Sequence, residues 1–252
     1  MVHKKGNCHD HAHCNGSILE ELICHTPYAI LSVAVGLIVL SFLSYGGLGK
    51  SHGHGGLHTL FHSFHFLHIL FATAGSLVTF SRFSSNMIKG FIVSLLSALF
   101  FCTLSDVILP YVAGRMLGVA MHFHICFIEE LHNIIPFLGI GLLNGFIASK
   151  HAHATKGYYS VIAHSAHILT SSLASLFYMV GEGFVHWHEQ MGLLYIVLLI
   201  VVVIPCTLAD VIVPVFFAQT SNDAKKHTDK SIGSAYFPGS RKVNEEHTAG
   251  KH

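Results

Sequence analysis

The chain has 252 residues, of which 52% are hydrophobic and only 11% charged, whereas an ordinary soluble domain is about a quarter charged. Water is therefore not the expected solvent for most of its surface. The formal net charge is +1 with histidine neutral, and the basic residues are scattered or lie in the C-terminal tail, so there is no nucleic-acid footprint. The outlier is histidine, with 23 copies.

Read in chain order, residues 1–25 form a polar, His- and Cys-rich segment that contains Cys8-His-Asp-His-Ala-His-Cys14. The first apolar run, 26–48, has no small-residue cleavage site after a short apolar core, which argues against a signal peptide and for a retained helix. Further runs follow at 57–80, 90–113, 126–148, 158–181 and 191–218, each bounded by Gly, Pro, Lys, Arg or His. All are close to the roughly 20 residues that a helix needs to cross a bilayer. The fourth could begin as early as Leu117, since Met116 to Ile125 is apolar apart from His122 and His124. Residues 219–252 carry no periodic apolar face and are predicted to be a disordered tail. The expected fold is an all-α membrane protein of six transmembrane helices.

An even number of spans places both termini on one side, where Lys4, Lys5, Arg82, Lys89, Lys150, Lys156 and all the tail's basic residues also fall. Only Lys50 and Arg115 fall opposite. The positive-inside rule then predicts both termini in the cytoplasm, in an inner or plasma membrane. Of the six cysteines, Cys24, Cys102, Cys126 and Cys206 lie in or beside spans, where free thiols are expected rather than a disulfide framework. Cys24 and Cys126 read as packing residues.

The chain repeats itself. Cys102-Thr-Leu-Ser-Asp106-Val-Ile-Leu-Pro110 recurs as Cys206-Thr-Leu-Ala-Asp210-Val-Ile-Val-Pro214, identical at seven of nine positions. His65-Phe-Leu-His68 recurs as His164-Ser-Ala-His167, and Glu20-Glu21-Leu22 with Pro27 recurs as Glu129-Glu130-Leu131 with Pro136. The three landmarks keep their order, at offsets of 104, 99 and 109 residues. The copies divide the spans into a first repeat, 26–115, and a second, 116–218. Three spans per copy is an odd number, so the second copy enters the membrane upside down, giving a 3+3 inverted repeat whose binding sites are expected at the repeat interface.

Inversion predicts two polar clusters stacked at different depths. The outer holds His65, His68, Cys102, Asp106, Glu129, Glu130 and His132. The inner holds His164, His167, Cys206 and Asp210, with Glu20, Glu21 and His25 nearby. Helical spacing sets each His pair on one face, and does the same for Cys102 with Asp106. Imidazole, thiolate and carboxylate together suit a divalent transition metal, zinc first, with cobalt, nickel, iron or copper as alternatives. Calcium and magnesium prefer oxygen shells. Steps of four, three and three from His58 through His62 to His68 make a stripe about 15 Å long, able to hand an ion inward from the surface. His52, His54, His122, His124, His186 and His188 outside, and His151 and His153 inside, would add ligands; Val185-His-Trp-His-Glu189 reads as an interfacial turn anchored by Trp187. The prolines four residues after each Asp invite a kink beside the site.

An intramembrane acid points to function by default, while a buried His pair alone can simply bond between helices; it is their duplication together that carries the reading. Glu130-Leu-His132-Asn-Ile-Ile-Pro136 is superficially similar to the His-Asn-x-Pro-Glu segment of ZIP zinc transporters, with Ile135 inserted and Phe137 in place of the Glu, and it covers only a few residues. The expected function is a metal transporter whose ion is its substrate, not an enzyme, with the lipid bilayer and metal ions as partners and a homo-oligomer compatible with the sequence. Proton coupling is open to it, because ligands must be deprotonated to bind. Two rival classes are a di-haem electron carrier, which needs axial His from facing helices, and a membrane-embedded metalloenzyme, which needs one open site.

Overall fold

The protein is represented by a computed structural model that describes residues 18–46, 53–124, 130–151 and 156–220. Its elements are α1 (Ile18–Tyr45), α2 (Gly53–Phe83), α3 (Met87–Thr103), a π-helical turn (Leu104–Ile108), α4 (Leu109–Met116), α5 (Leu131–His151), α6 (Lys156–Gly181), a short 3-10 turn (Trp187–Gln190), α7 (Met191–Thr207) and a second π-helical turn (Leu208–Ile212). Residues 213–220 remain helical. Among the described residues there is no strand. Among the described residues five stretches are long and apolar enough to cross a membrane: His25–Tyr45, Gly55–Phe83, Met87–Met116, Leu131–Lys150 and Trp187–Thr220. The sixth long helix, α6, has 26 residues.

The helices extend beyond the apolar runs at several ends. The first starts at Ile18, inside the polar, His- and Cys-rich N-terminal segment, and the last continues to residue 220. The described part of the fourth expected span is helical from Leu131, where the Glu130 carbonyl accepts the Asn133 and Ile134 N–H groups. Residues 119–124 are irregular rather than helical. The N-terminal segment 1–17, Glu129, Cys126, His52, His153 and residues 221–252 of the expected tail lie outside the described residues.

Polarity is arranged inside out. Ile88, Ile92, Leu96 and Phe100, spaced by four on α3, are all exposed, while Ser94, Ser97, His65, His68 and Asp106 are buried. An apolar exterior around a polar interior fits hydrocarbon as solvent, where every polar group must find its partner within the protein.

α6 is the central helix, buried on every side from Ser171 to Val180. α2 runs antiparallel against it. Leu57 lies beside Gly181, the Phe61 and Tyr178 rings are 5.1 Å apart, the Phe64 and Phe177 rings 5.6 Å, and His68 meets His167. Two parallel contacts flank this pair. α5 follows α2 in the same direction, with Phe137 on Phe66, Gly141 on Leu70 and Thr73, and Gly145 on Ala74 and Leu77. α1 follows α6 likewise, with His25 against His164 and Gly36 against Leu173 and Leu176.

Without a hydrophobic drive between helices in lipid, close backbone approach supplies the dispersion energy, and small residues permit it. A Cβ at Gly141 would stand 2.7 Å from the Leu70 carbonyl oxygen, and one at Gly145 2.9 Å from that of Ala74. At Gly36 the nearest atom would be a leucine methyl at 3.5 Å. Gly145→Leu is therefore expected to separate α2 from α5, at a cost of about 1–3 kcal/mol or more, and Gly36→Ala to be tolerated. Size-exclusion profiles and thermal unfolding in detergent test this. A Gly145→Leu protein as monodisperse and as heat-resistant as the parent would contradict the packing.

Candidate metal centre

Both aspartates sit in π-helical turns, and the reason is local. Pro110 and Pro214 have no N–H, so the helix cannot keep its normal ladder across the preceding residues. In the first turn the Leu109 N–H bonds Leu104 O, five residues back. In the second, the Val213 N–H bonds Leu208 O with the same step. The Ser105 carbonyl is then left between a committed N–H and a proline, and the Ser175 hydroxyl of α6 donates to it at 3.0 Å. The matching Ala209 carbonyl accepts from the Ser97 hydroxyl of α3 at 3.1 Å. Each wide turn is thus fixed by a hydroxyl from a neighbouring helix.

Asp106 is fully buried and accepts four hydrogen bonds. His65 and His68 each donate Nδ1–H to Oδ2, at 2.8 and 2.7 Å. The Ser105 and Ser171 hydroxyls donate to Oδ1, at 2.7 and 3.0 Å. This fixes the tautomer of both rings, because the nitrogen that holds the proton leaves the other as a lone pair. His65 Nε2 is buried and has no hydrogen-bond partner among the described residues.

The second set is looser. His167 Nδ1 lies 2.9 Å and His164 Nδ1 3.3 Å from Asp210 Oδ2. The His167 contact is close but outside hydrogen-bond geometry, and Asp210 Oδ1 and His164 Nε2 have no partner among the described residues. Two small residues explain the difference. Ala209 stands where the first copy has Ser105, and Gly75, whose backbone faces Asp210, brings no side chain.

The sequence predicts two clusters at separate depths, but they adjoin. Because α2 and α6 are antiparallel and cross at their histidines, His68 Nε2 comes within 3.0 Å of His167 Nε2. Cys206 Sγ lies 3.7 Å from the same His68 nitrogen. All three residues are buried, and their ligand atoms lie within 4.8 Å of one another. Tetrahedral zinc with N at about 2.05 Å and S at about 2.3 Å has N–N edges of about 3.3 Å and N–S edges of about 3.6 Å. The distances found are close to those edges. The His68 Nε2 lone pair faces a His167 nitrogen that must bring either its own proton or a shared metal ion, and a carboxylate lies behind each ring, the usual support of a metal-bound histidine.

The aspartates therefore stand behind the rings rather than in front of them. Cys102 is buried in an apolar cluster with Phe66, Ile69 and Ala98, and the wide turn at 104–108 breaks the α-helical register expected between it and Asp106. Glu130 is half-buried and accepts from the Asn133 side-chain amide, while His132 is exposed. Neither joins the buried cluster. His164 stacks edge-on against buried His25, ring centroids 4.1 Å apart. His58 and His62 approach each other at the far end of α2, Nε2 to Nε2 at 3.1 Å. Trp187 is buried, whereas His186, His188 and Glu189 form an exposed group around it. The supporting hydroxyls of Ser105, Ser171 and Ser175 are the residues that sequence reasoning misses. One signal was available, since Ser105 is one of the two mismatches between the repeated nine-residue motifs. Compared with protein-family models, curated proteins and solved structures, the chain matches none.

Proposed function

We propose that the chain is an integral membrane transporter of a divalent transition-metal ion, zinc first. The observation that carries this is the buried junction of His68, His167 and Cys206, with each imidazole backed by its own aspartate. Nitrogen and sulfur donors favour zinc, cobalt, nickel or copper over calcium and magnesium. The buried Nε2 atoms of His65 and His164 flank the junction on either side and supply the next acceptors for an ion that steps inward or outward. Residues that grip a permanent ion have no need of such flanking acceptors.

The architecture belongs to the same reading: six spans in a 3+3 inverted repeat, with both termini in the cytoplasm. Packing supports it, because contacts pair off as the sequence offsets require. Gly145 on Ala74 and Leu77 corresponds, at offsets of 109 and 99, to Gly36 on Leu173 and Leu176. The two π-helical turns correspond at an offset of 104. Crossing of the two central helices at the membrane midplane would put the junction where inverted-repeat transporters hold their substrates.

The test is flux of the purified protein in sealed vesicles loaded with a metal-sensitive dye. Saturable zinc and cobalt entry is expected, with calcium and magnesium excluded. Zinc entry no faster than in protein-free vesicles, in either orientation of the gradient, would defeat the proposal.

A further inference from the structure

We infer a second metal site, separate from the buried junction, formed by His58 and His62 of α2 with His124 of the irregular segment that follows α4. Their ligand atoms lie within 4.8 Å of one another, and all three residues are half-buried. His58 and His62 present Nε2 atoms 3.1 Å apart, again close to the edge of about 3.3 Å expected between two nitrogens on tetrahedral zinc. The His124 ring centroid lies 5.2 Å from that of His58 and 5.6 Å from that of His62.

The third ligand is held in place by the fold. The Tyr178 hydroxyl, on the central helix, accepts the His124 N–H at 3.3 Å and donates to the His124 carbonyl at 3.4 Å. Tyr178 is itself 1% exposed. Two residues earlier, the His122 N–H bonds the Glu182 carbonyl. Phe61 and Phe66 pack against the His62 ring at 5.0 and 5.6 Å, which limits its rotamers. A segment without regular structure is thus pinned at the one point where its imidazole meets two others.

Among the described residues three imidazoles gather here, one fewer than the four protein ligands of a closed structural site, and three protein ligands are the number found at sites that exchange ligands. The six residues from His62 to His68 cover about 9 Å along α2, so an ion here is distinct from one at the junction. Resting on the transport reading for its role alone, the site is a capture station for the same ions on their way to His68. The occupant is a borderline divalent ion such as zinc or cobalt.

Cobalt(II) binding to the full chain in detergent, by equilibrium dialysis and absorption spectroscopy, tests the site itself. His124→Ala, and independently His58→Gln on the more accessible part of α2, are each expected to bind one cobalt fewer per chain than the parent, with the thiolate-to-cobalt band unchanged. His68→Ala is expected to lose a different equivalent and to weaken that band. In vesicles, His124→Ala should raise the zinc concentration for half-maximal entry several-fold and leave the maximal rate near that of the parent. A full complement of cobalt in both monodisperse variants overturns the site. Absent zinc flux in the parent would defeat transport alone, since the one-equivalent difference would still be read by dialysis.

Discussion

His68→Ala is expected to abolish zinc entry into vesicles and to weaken binding at the junction by at least about 100-fold, and His167→Ala to do the same. His68 is the residue on which the two halves converge. Its Nδ1–H is held by Asp106 at 2.7 Å, and its Nε2 faces both His167 and Cys206. Removing the ring removes one of the three proposed ligands, and it also strips Asp106 of a donor. Asp106→Asn keeps every nitrogen and sulfur ligand and alters only what stands behind them, for which about a 10- to 100-fold loss is typical of supporting residues. The expected order is therefore His68→Ala worse than Asp106→Asn, in both affinity and flux. Zinc entry that survives in His68→Ala and His167→Ala, while Asp106→Asn is dead, would make the carboxylate the ligand and reverse the assignment of roles.

That assignment was not legible in the sequence, although much around it was. Long apolar runs separated by polar breaks announce helices, and the helices found overlap all six runs. The recurrence of Cys-Thr-Leu-x-Asp-Val-Ile-x-Pro marks two equivalent turns, and both became π-helical. The proline suggests only a kink, however, and the width of the turn depends on where its freed carbonyl finds a donor. Ser175 and Ser97 are supplied by other helices, so no local pattern contains them. Likewise His-x-x-His gives a shared face and a depth, but the contact of His68 with His167 follows from the antiparallel crossing of α2 and α6. Glu130 and His132 fell away from the cluster for a smaller reason. In the first turn of α5, Leu131, His132 and Asn133 are all exposed, and Glu130 takes the Asn133 side-chain amide as its partner.

The two aspartates look interchangeable in the repeated motif, yet replacing them should have unequal consequences. Asp106→Ala strands the Nδ1–H groups of His65 and His68 and takes the closest acceptor from the hydroxyls of Ser105 and Ser171, which keep the longer bonds to the Cys102 carbonyl and to the Ser105 hydroxyl, at 3.2 and 3.4 Å. A buried donor left unpaired costs about 1–3 kcal/mol, and two such losses with two bonds weakened approach the lower end of the stability of an ordinary domain, about 5–15 kcal/mol. Asp210→Ala strands less, because Oδ1 of Asp210 has no partner among the described residues and the hydroxyl equivalent to Ser105 is absent. Both variants should lose zinc flux, but Asp106→Ala should also lose most of its folded yield and heat resistance in detergent, whereas Asp210→Ala keeps the greater part of both. Equal thermal losses would mean that the hydroxyl pair on Asp106 contributes nothing. Ala209→Ser offers the converse: a hydroxyl beside Asp210 Oδ1 should raise the unfolding temperature and, by tying down the freer carboxylate, slow zinc passage. A half of the site that is firmly satisfied can hold the rings in register, and a half with a spare oxygen can change partners as an ion moves past. Duplication alone would have made the halves equal, and the Ser105 to Ala209 difference sets them apart.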